Sequence, residues 1–437
     1  MPLWWGKQQV FENKAKISAV ALLFCSQAFA NDSVDVLHWW TSTSERGAVR
    51  FLQSKLLEDK IEWRDAAIPG GGGIGAMRVL KSRVLAGKQP AVAQLIGPAI
   101  AEWADLGLIL ELDNVAKNNA WPKTLSPTVN ELLLHRGHTV AAPLGVHRIN
   151  NLYYNAKLFR ELGIAEPKTM DDFKRAALRL SAANITPLGQ STEAWQVATL
   201  FETLVLMEGG PAFYRDVFVR RNANAYLDPK FARALNRLRQ MRAYTAYASN
   251  KSQRELSWTD IAQQFANGQV GMVIMGDWFK GELLTMGQKL EQQFACTTVP
   301  NTQNYHLYSI DSFVMFSGDY SQQTAQEKVA QLMVSPAIQQ GYNRIKGSVS
   351  VRRDLDQKAL AAMDRCAQSS WQTFNRGKAM QAPSLVHRMA ADEKFKDAMV
   401  AQIQKFYLDD SISVQENQQR MAAMVRALNI QEGNTEQ

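Results

Sequence analysis

The chain has 437 residues, 46% of them hydrophobic and 21% charged, and a formal charge of +8. That is an ordinary globular composition with room for two domains. The basic side chains are dispersed, which argues against nucleic acid or an anionic membrane as partner, and no stretch approaches the roughly 20 apolar residues of a membrane helix.

The N-terminus reads as a secretory signal. Lys14 and Lys16 precede the apolar run Ile17 to Cys25, and Ala28-Phe29-Ala30 follows as a small-x-small cleavage pattern. Phe24 is too large for a lipobox, so Cys25 does not mark a lipoprotein. Residues 1–30 are therefore expected to be removed from an exported, periplasmic chain, leaving a formal charge of +6. Cys296 and Cys366 then remain, and an even pair in an oxidising compartment favours a disulfide. None of the six histidines offers an H-x₃-H spacing, so no metal is expected.

Next, Val34 to Leu37 predicts a strand that runs into His38-Trp39-Trp40-Thr41-Ser42-Thr43-Ser44-Glu45. Successive strand residues point to opposite faces, so at most one of the two indoles fits a core, and the other faces the crevice beyond the sheet. A helix follows through Val49, Leu52 and Leu56, then a strand Ile61 to Ala67, a turn Pro69 to Gly73, a helix Ile74 to Ala86 and a strand Ala91 to Ile96. This alternation predicts a mostly parallel sheet covered by helices. Strands near Val140 to Leu144 and Leu152 to Tyr154 mark a change of character. Helices then dominate, one opening at the capping pattern Thr169 to Asp172 and others near 194–207, 211–219, 230–243 and 258–266. A buried strand Gly271 to Met275 runs into Gly276-Asp277-Trp278. Ala295 to Val299 and Ser312 to Phe316 are the last clear strands, and a helical tail is broken at Lys346 to Val351.

Three chemistries compete. Gly70, Gly72 and Gly75 satisfy G-x-G-x-x-G, but the acid expected about 20 residues further on is absent: that region reads Gln94 to Pro98, and the next acid is Glu102. The glycines are better read as a flexible turn, with no nucleotide cofactor. Hydrolysis lacks a G-x-S-x-G elbow, although Glu45 and Asp311 could form the carboxyl pair of an exported glycoside-acting enzyme. The third reading is a sugar cleft. Trp39 or Trp40, Trp195 and Trp278 all stand at element ends, where flat indoles cover C–H faces and ionised groups hold hydroxyls by charge-assisted bonds.

The ordered set His38 to Thr41, Pro69 to Gly73, Gln94 with Gly97-Pro98, Trp195-Gln196, Met275 to Trp278, Ile310 to Ser312, Lys346 to Ser348 and His387 resembles the periplasmic sugar-binding proteins of ABC importers, in particular bacterial glucose/mannose-binding proteins. The resemblance implies a non-enzymatic two-lobe α/β fold, each lobe a mixed sheet covered by helices. It sets 31–142 with 300–337 as the first lobe and 143–299 with 338–437 as the second. It implies a ligand set of Trp39, Trp40, Glu45, Gln94 and Asp311 from the first lobe and Trp278, Lys346 and His387 from the second, with Trp195 beside them. Cys296 and Cys366 also match the family's disulfide. The expected partners are a monosaccharide, glucose or a related aldohexose, an inner-membrane permease and a chemoreceptor, for a monomeric protein. A di- or oligosaccharide is the alternative ligand. One position departs: Ile96 stands where relatives carry a basic or imidazole side chain, which puts the sugar's identity in question.

Overall fold

The computed structural model describes residues 32–69, 73–246 and 256–435. The expected signal segment and Gly70 to Gly72 of the turn lie outside them. Among the described residues, ten strands build the two larger sheets: β1 (Asp32–His38), β2 (Ile61–Ala67), β3 (Val92–Gln94), β4 (Ala142–Arg148), β5 (Asn151–Tyr154), β6 (Thr186–Gly189), β7 (Val270–Met275), β8 (Ala295–Thr298), β9 (His306–Met315) and β10 (Gln381–Pro383). The first sheet runs β10-β9-β3-β1-β2, with β4 also paired to β9. Its β1, β2 and β3 are parallel, while β9 joins β3 antiparallel. The second sheet runs β8-β5-β7-β6. Every residue of β7 is buried, as expected of a continuous apolar run covered on both faces.

Six helices matter for the site: α1 (Thr43–Glu58), α2 (Ala194–Phe218), α3 (Trp258–Ala266), α4 (Trp278–Thr285), α5 (Pro336–Lys346) and α6 (Arg365–Phe374). The helices expected at 194–207 and 211–219 are two arms of α2, kinked where Gly210 takes φ 70° ahead of Pro211.

Each sheet carries its own apolar core. The first gathers Val34, Val36, Leu80, Val92, Leu144, Val146, Ile310 and Phe313. The second gathers Leu152, Phe201, Leu204, Met272, Phe279 and Phe406. The chain passes between cores at Val146 to Ile149, returns at Leu307 to Ile310 and leaves again at Phe374 to Ala382, while Met389 reaches back to the first. The last exchange differs from the expected boundary at 337. Ile338 and Tyr342, four residues apart on one face of α5, belong to the first core, as do Val349, Val351 and Phe374. The sequence shows that α5 has an apolar stripe, but not which sheet covers it. Lys346 ends this helix, whose apolar stripe packs in the first core.

A disulfide and a backbone seam join distant parts of the chain. Cys296 on β8 is bonded to Cys366 at the start of α6, 70 residues on. The start of α4 also meets the end of α5 backbone to backbone: a Cβ on Gly281 would lie 2.6 Å from the Lys346 carbonyl oxygen, and one on Gly347 2.2 Å from that of Asp277. Gly347, at φ 96°, is the left-handed C-cap of α5.

Candidate functional site

The strand ends and helix starts of both lobes converge on a cavity of about 350 Å³. Eight of the nine expected ligand residues line it: Trp39, Trp40, Glu45, Trp195, Trp278, Asp311, Lys346 and His387. Gln94 does not. It is fully buried behind the wall, where its Nε2 donates to Asp311 Oδ1 at 3.1 Å.

The paired indoles stand just beyond the end of β1 and divide between core and cavity wall. Trp40 is 1% exposed, with its ring against Phe313 and Tyr342 and the Lys346 ammonium over it, so it is a core residue at the edge of the cavity. Trp39 is partly exposed and lies over Gly73, where a Cβ would approach its Cε3 to 2.8 Å. At least this glycine of the turn is therefore needed to seat an indole. His38 is a satisfied core histidine: its Nδ1 accepts from the Trp40 amide at 3.2 Å, which leaves Nε2 to donate to Asp65 at 2.7 Å.

Glu45 serves two structures at once. Its Oε2 accepts from the amides of Thr41 and Ser42, closing a capping box at the start of α1. Its Oε1 accepts from Lys346 Nζ at 2.8 Å. Burial opposes its charge, but Lys346 and these amides outweigh burial and hold its pKa below the ordinary carboxylate value.

Asp311 was expected just before a strand. It lies inside β9, where the register with β4 shifts between Asp311 and Ser312, and such irregularities re-aim side chains beside functional sites. His147 on β4, 3% exposed, bridges Asp311 Oδ2 at 2.8 Å and Asp277 Oδ1 at 2.5 Å. Burial pushes the imidazole towards its neutral form, but the carboxylates of Asp277 and Asp311 prevail and raise its pKa to about 9. Asp311 is held low in return: His147, Lys346 and Gln94 outweigh its burial.

The opposite wall comes from the second lobe. Glu193 Oε2 accepts from Trp195 Nε1 at 2.9 Å and fixes that ring. Trp278 lies across Gly276, where a Cβ would meet the ring at 2.2 Å, and its ring centroid is 5.0 Å from that of His387. Sequence reasoning missed His147, Glu193, Ser309 and the Ser257-Trp258-Thr259 group. The capping box from Ser257 to Asp260 that starts α3 at Trp258 was a usable signal. His147 left none, because every residue of β4 is buried.

A larger cavity, of about 510 Å³, lies across the Gly281–Gly347 seam and is lined by Lys280, Leu284, Gln339, Asn343 and Met363, but by none of the expected ligand residues. Among the described residues one trio, Glu111, Asp113 and His138, clusters with metal-ligand spacing, on the exposed surface. The arrangement also bears on hydrolysis. Both Glu45 and Asp311 are held ionised by cations, whereas a glycosidase needs one carboxyl with a raised pKa as its acid.

The chain belongs to the bacterial extracellular solute-binding proteins, whose family model matches residues 49–340. Family membership makes it a binding protein and not an enzyme. It is 33% identical over 386 residues to a Brucella melitensis protein named "Probable sugar-binding periplasmic protein", covering 87% of this chain and 90% of that one. A Rhizobium meliloti protein of the same name is 34% identical over 337 residues, covering 77% and 80%. Among solved structures, the fold matches the bacterial solute receptor AcbH, described as having an exclusive preference for b-D-galactopyranose (TM-score 0.76, 17% identity, 92% of this chain and 99% of that one). It also matches a chitin oligosaccharide binding protein (TM-score 0.73, 18% identity, 91% and 99%).

Proposed function

We propose that this chain is the exported sugar-binding component of an ABC importer, which captures an aldohexose between its lobes and hands it to a membrane permease. The observation that carries the reading is one cavity in which indoles backed by both cores, Trp39 on one side and Trp195, Trp258 and Trp278 on the other, surround Glu45, Asp311, Lys346 and His387. Indoles cover the apolar faces of a pyranose, and the fixed ions bond its rim of hydroxyls. Such a ring bridges the lobes, so binding favours the closed form, and closure presents the loaded protein to the permease. The names of the relatives support the sugar class.

Volume favours a second reading. A cavity of about 350 Å³ corresponds to roughly a dozen waters at about 30 Å³ each. A single hexose leaves part of that space to water, and a disaccharide would fill it. Calorimetric titration of the mature protein with glucose, galactose, mannose and their disaccharides decides between them. A micromolar constant, about −8 kcal/mol, for one aldohexose supports the proposal; tight binding of disaccharides alone overturns the monosaccharide reading, and silence across the whole panel overturns the sugar reading.

A further inference from the structure

Behind His387 lies a polar chain that reaches the cavity only through that imidazole. Glu202, on α2, is fully buried. Its Oε2 accepts from the Leu385 amide at 2.7 Å and the Tyr214 hydroxyl at 2.6 Å, and its Oε1 accepts from the Ser384 hydroxyl at 2.7 Å. A serine hydroxyl has one proton to give. Once that proton is directed at Glu202, Ser384 Oγ can only accept. It accepts from the His387 amide at 3.1 Å, and its remaining contact is His387 Nδ1 at 2.9 Å. That contact is a hydrogen bond only if Nδ1 carries the proton. Glu202 Oε1, 3.8 Å from Nδ1, favours the same placement electrostatically. His387 Nε2 has no hydrogen bond among the described residues, and the ring stands on the cavity wall.

We infer that Glu202 and Ser384 are positioning residues that lock neutral His387 as its Nδ1–H tautomer, so that bare Nε2 faces the cavity as an acceptor and selects a ligand hydroxyl able to donate. The selection rests on the sugar reading above; the tautomer does not. The hydrogen-bond polarity is the reverse of that at His38, where Nδ1 accepts and Nε2 donates. In metal and catalytic sites, too, the bond made by one ring nitrogen sets the role of the other. Replacing Glu202 by glutamine invites the opposite order. Its amide oxygen can take the Leu385 and Tyr214 donors, its NH₂ then donates to Ser384, and the serine proton turns to Nδ1.

Nitrogen-15 spectra of histidine-labelled, ligand-free protein at about pH 8.5 test the lock, with the His387→Gln spectrum identifying the resonances. The expected result is a protonated Nδ1 and a bare Nε2 in the wild type, and the inverse in Glu202→Gln. A protonated Nε2 in the wild type overturns the inference, and so does an unchanged tautomer in Glu202→Gln. Titrations with glucose and its monodeoxyfluoro derivatives test the selection, because fluorine cannot donate. The derivative altered at the hydroxyl facing Nε2 is expected to lose roughly tenfold in affinity, and less than that in Ser384→Ala. Equal losses in both proteins refute the selection. If no sugar binds the wild type, the sugar reading fails together with the selection, and the spectra alone judge the tautomer.

Discussion

His147 makes the protein's stability depend on pH in a definite direction. The imidazole is held between Asp277 and Asp311, and its pKa rises from 6.5 to about 9. A folded-state pKa above the unfolded one means that the stabilisation is complete below pH 6.5 and disappears as pH rises through about 9. At about 1.36 kcal/mol per unit, the span corresponds to about 3 kcal/mol. For a chain of 437 residues, an unfolding entropy of roughly 2 cal/mol/K per residue converts that into a Tm shift of about 3–4 °C. The assay is thermal unfolding followed by circular dichroism in buffers from about pH 6 to pH 10, on the wild type and on His147→Gln. The variant leaves two buried carboxylates without their cation, so its Tm is lower at pH 6 by several kcal/mol equivalent, and the gap narrows by about 3 °C towards pH 10. Parallel curves, with the same gap at both ends, would refute the assignment of a protonated His147 at the lobe junction.

The two neighbouring indoles should separate cleanly: Trp39→Ala weakens sugar binding at least tenfold with little change in Tm, whereas Trp40→Ala, at a site 1% exposed, destabilises by about 3–5 kcal/mol. Calorimetry and thermal melts on both variants check this. Lys346→Met strands Glu45 and is expected to destabilise by about 3–5 kcal/mol at pH 7. Because Lys346 helps hold the Glu45 pKa below 4.5, its contribution is present above that value and lost as pH falls, so the melting deficit shrinks in acid. Opening Cys296–Cys366, which closes 70 residues of sequence, should remove about 4 kcal/mol in the chain-entropy treatment, read from urea denaturation with and without reductant. Ile96 lines the cavity, and Ile96→His adds a donor there; affinity for an aldohexose should rise at least fivefold in titration if a hydroxyl faces it unpaired.

What was legible in the sequence follows from periodicity and from polar residues at element ends. The first β-α-β alternation, the continuous run of β7 and the capping pattern at Thr169 each leave a local trace. The site was legible where an aromatic or charged residue ended a strand, as at Trp39 and Trp278. It was obscured where the decisive property is tertiary. Trp40 and Trp39 are chemically identical, and only their packing separates a core indole from a wall indole. Gln94 reads as a ligand residue at a strand end, yet it is buried behind the wall and donates to Asp311. The lobe that takes Lys346 is not legible, because the partner of the α5 stripe is a distant strand layer. His147 sits in an unbroken buried run, with both of its carboxylate partners more than a hundred residues away.

The order of strands has a consequence for how the chain reaches its native state. The sheet that begins with Asp32 is completed on its far edge by Gln381 to Pro383, which lie alongside His306 to Tyr308. Neither half can finish alone as synthesis proceeds, since each waits for segments from late in the message. Such distant pairings are paid for in loop entropy before they return contact energy, so folding is slow. Until Gln381 to Pro383 have been made, the backbone of His306 to Tyr308 lacks the strand that pairs with it in the finished sheet.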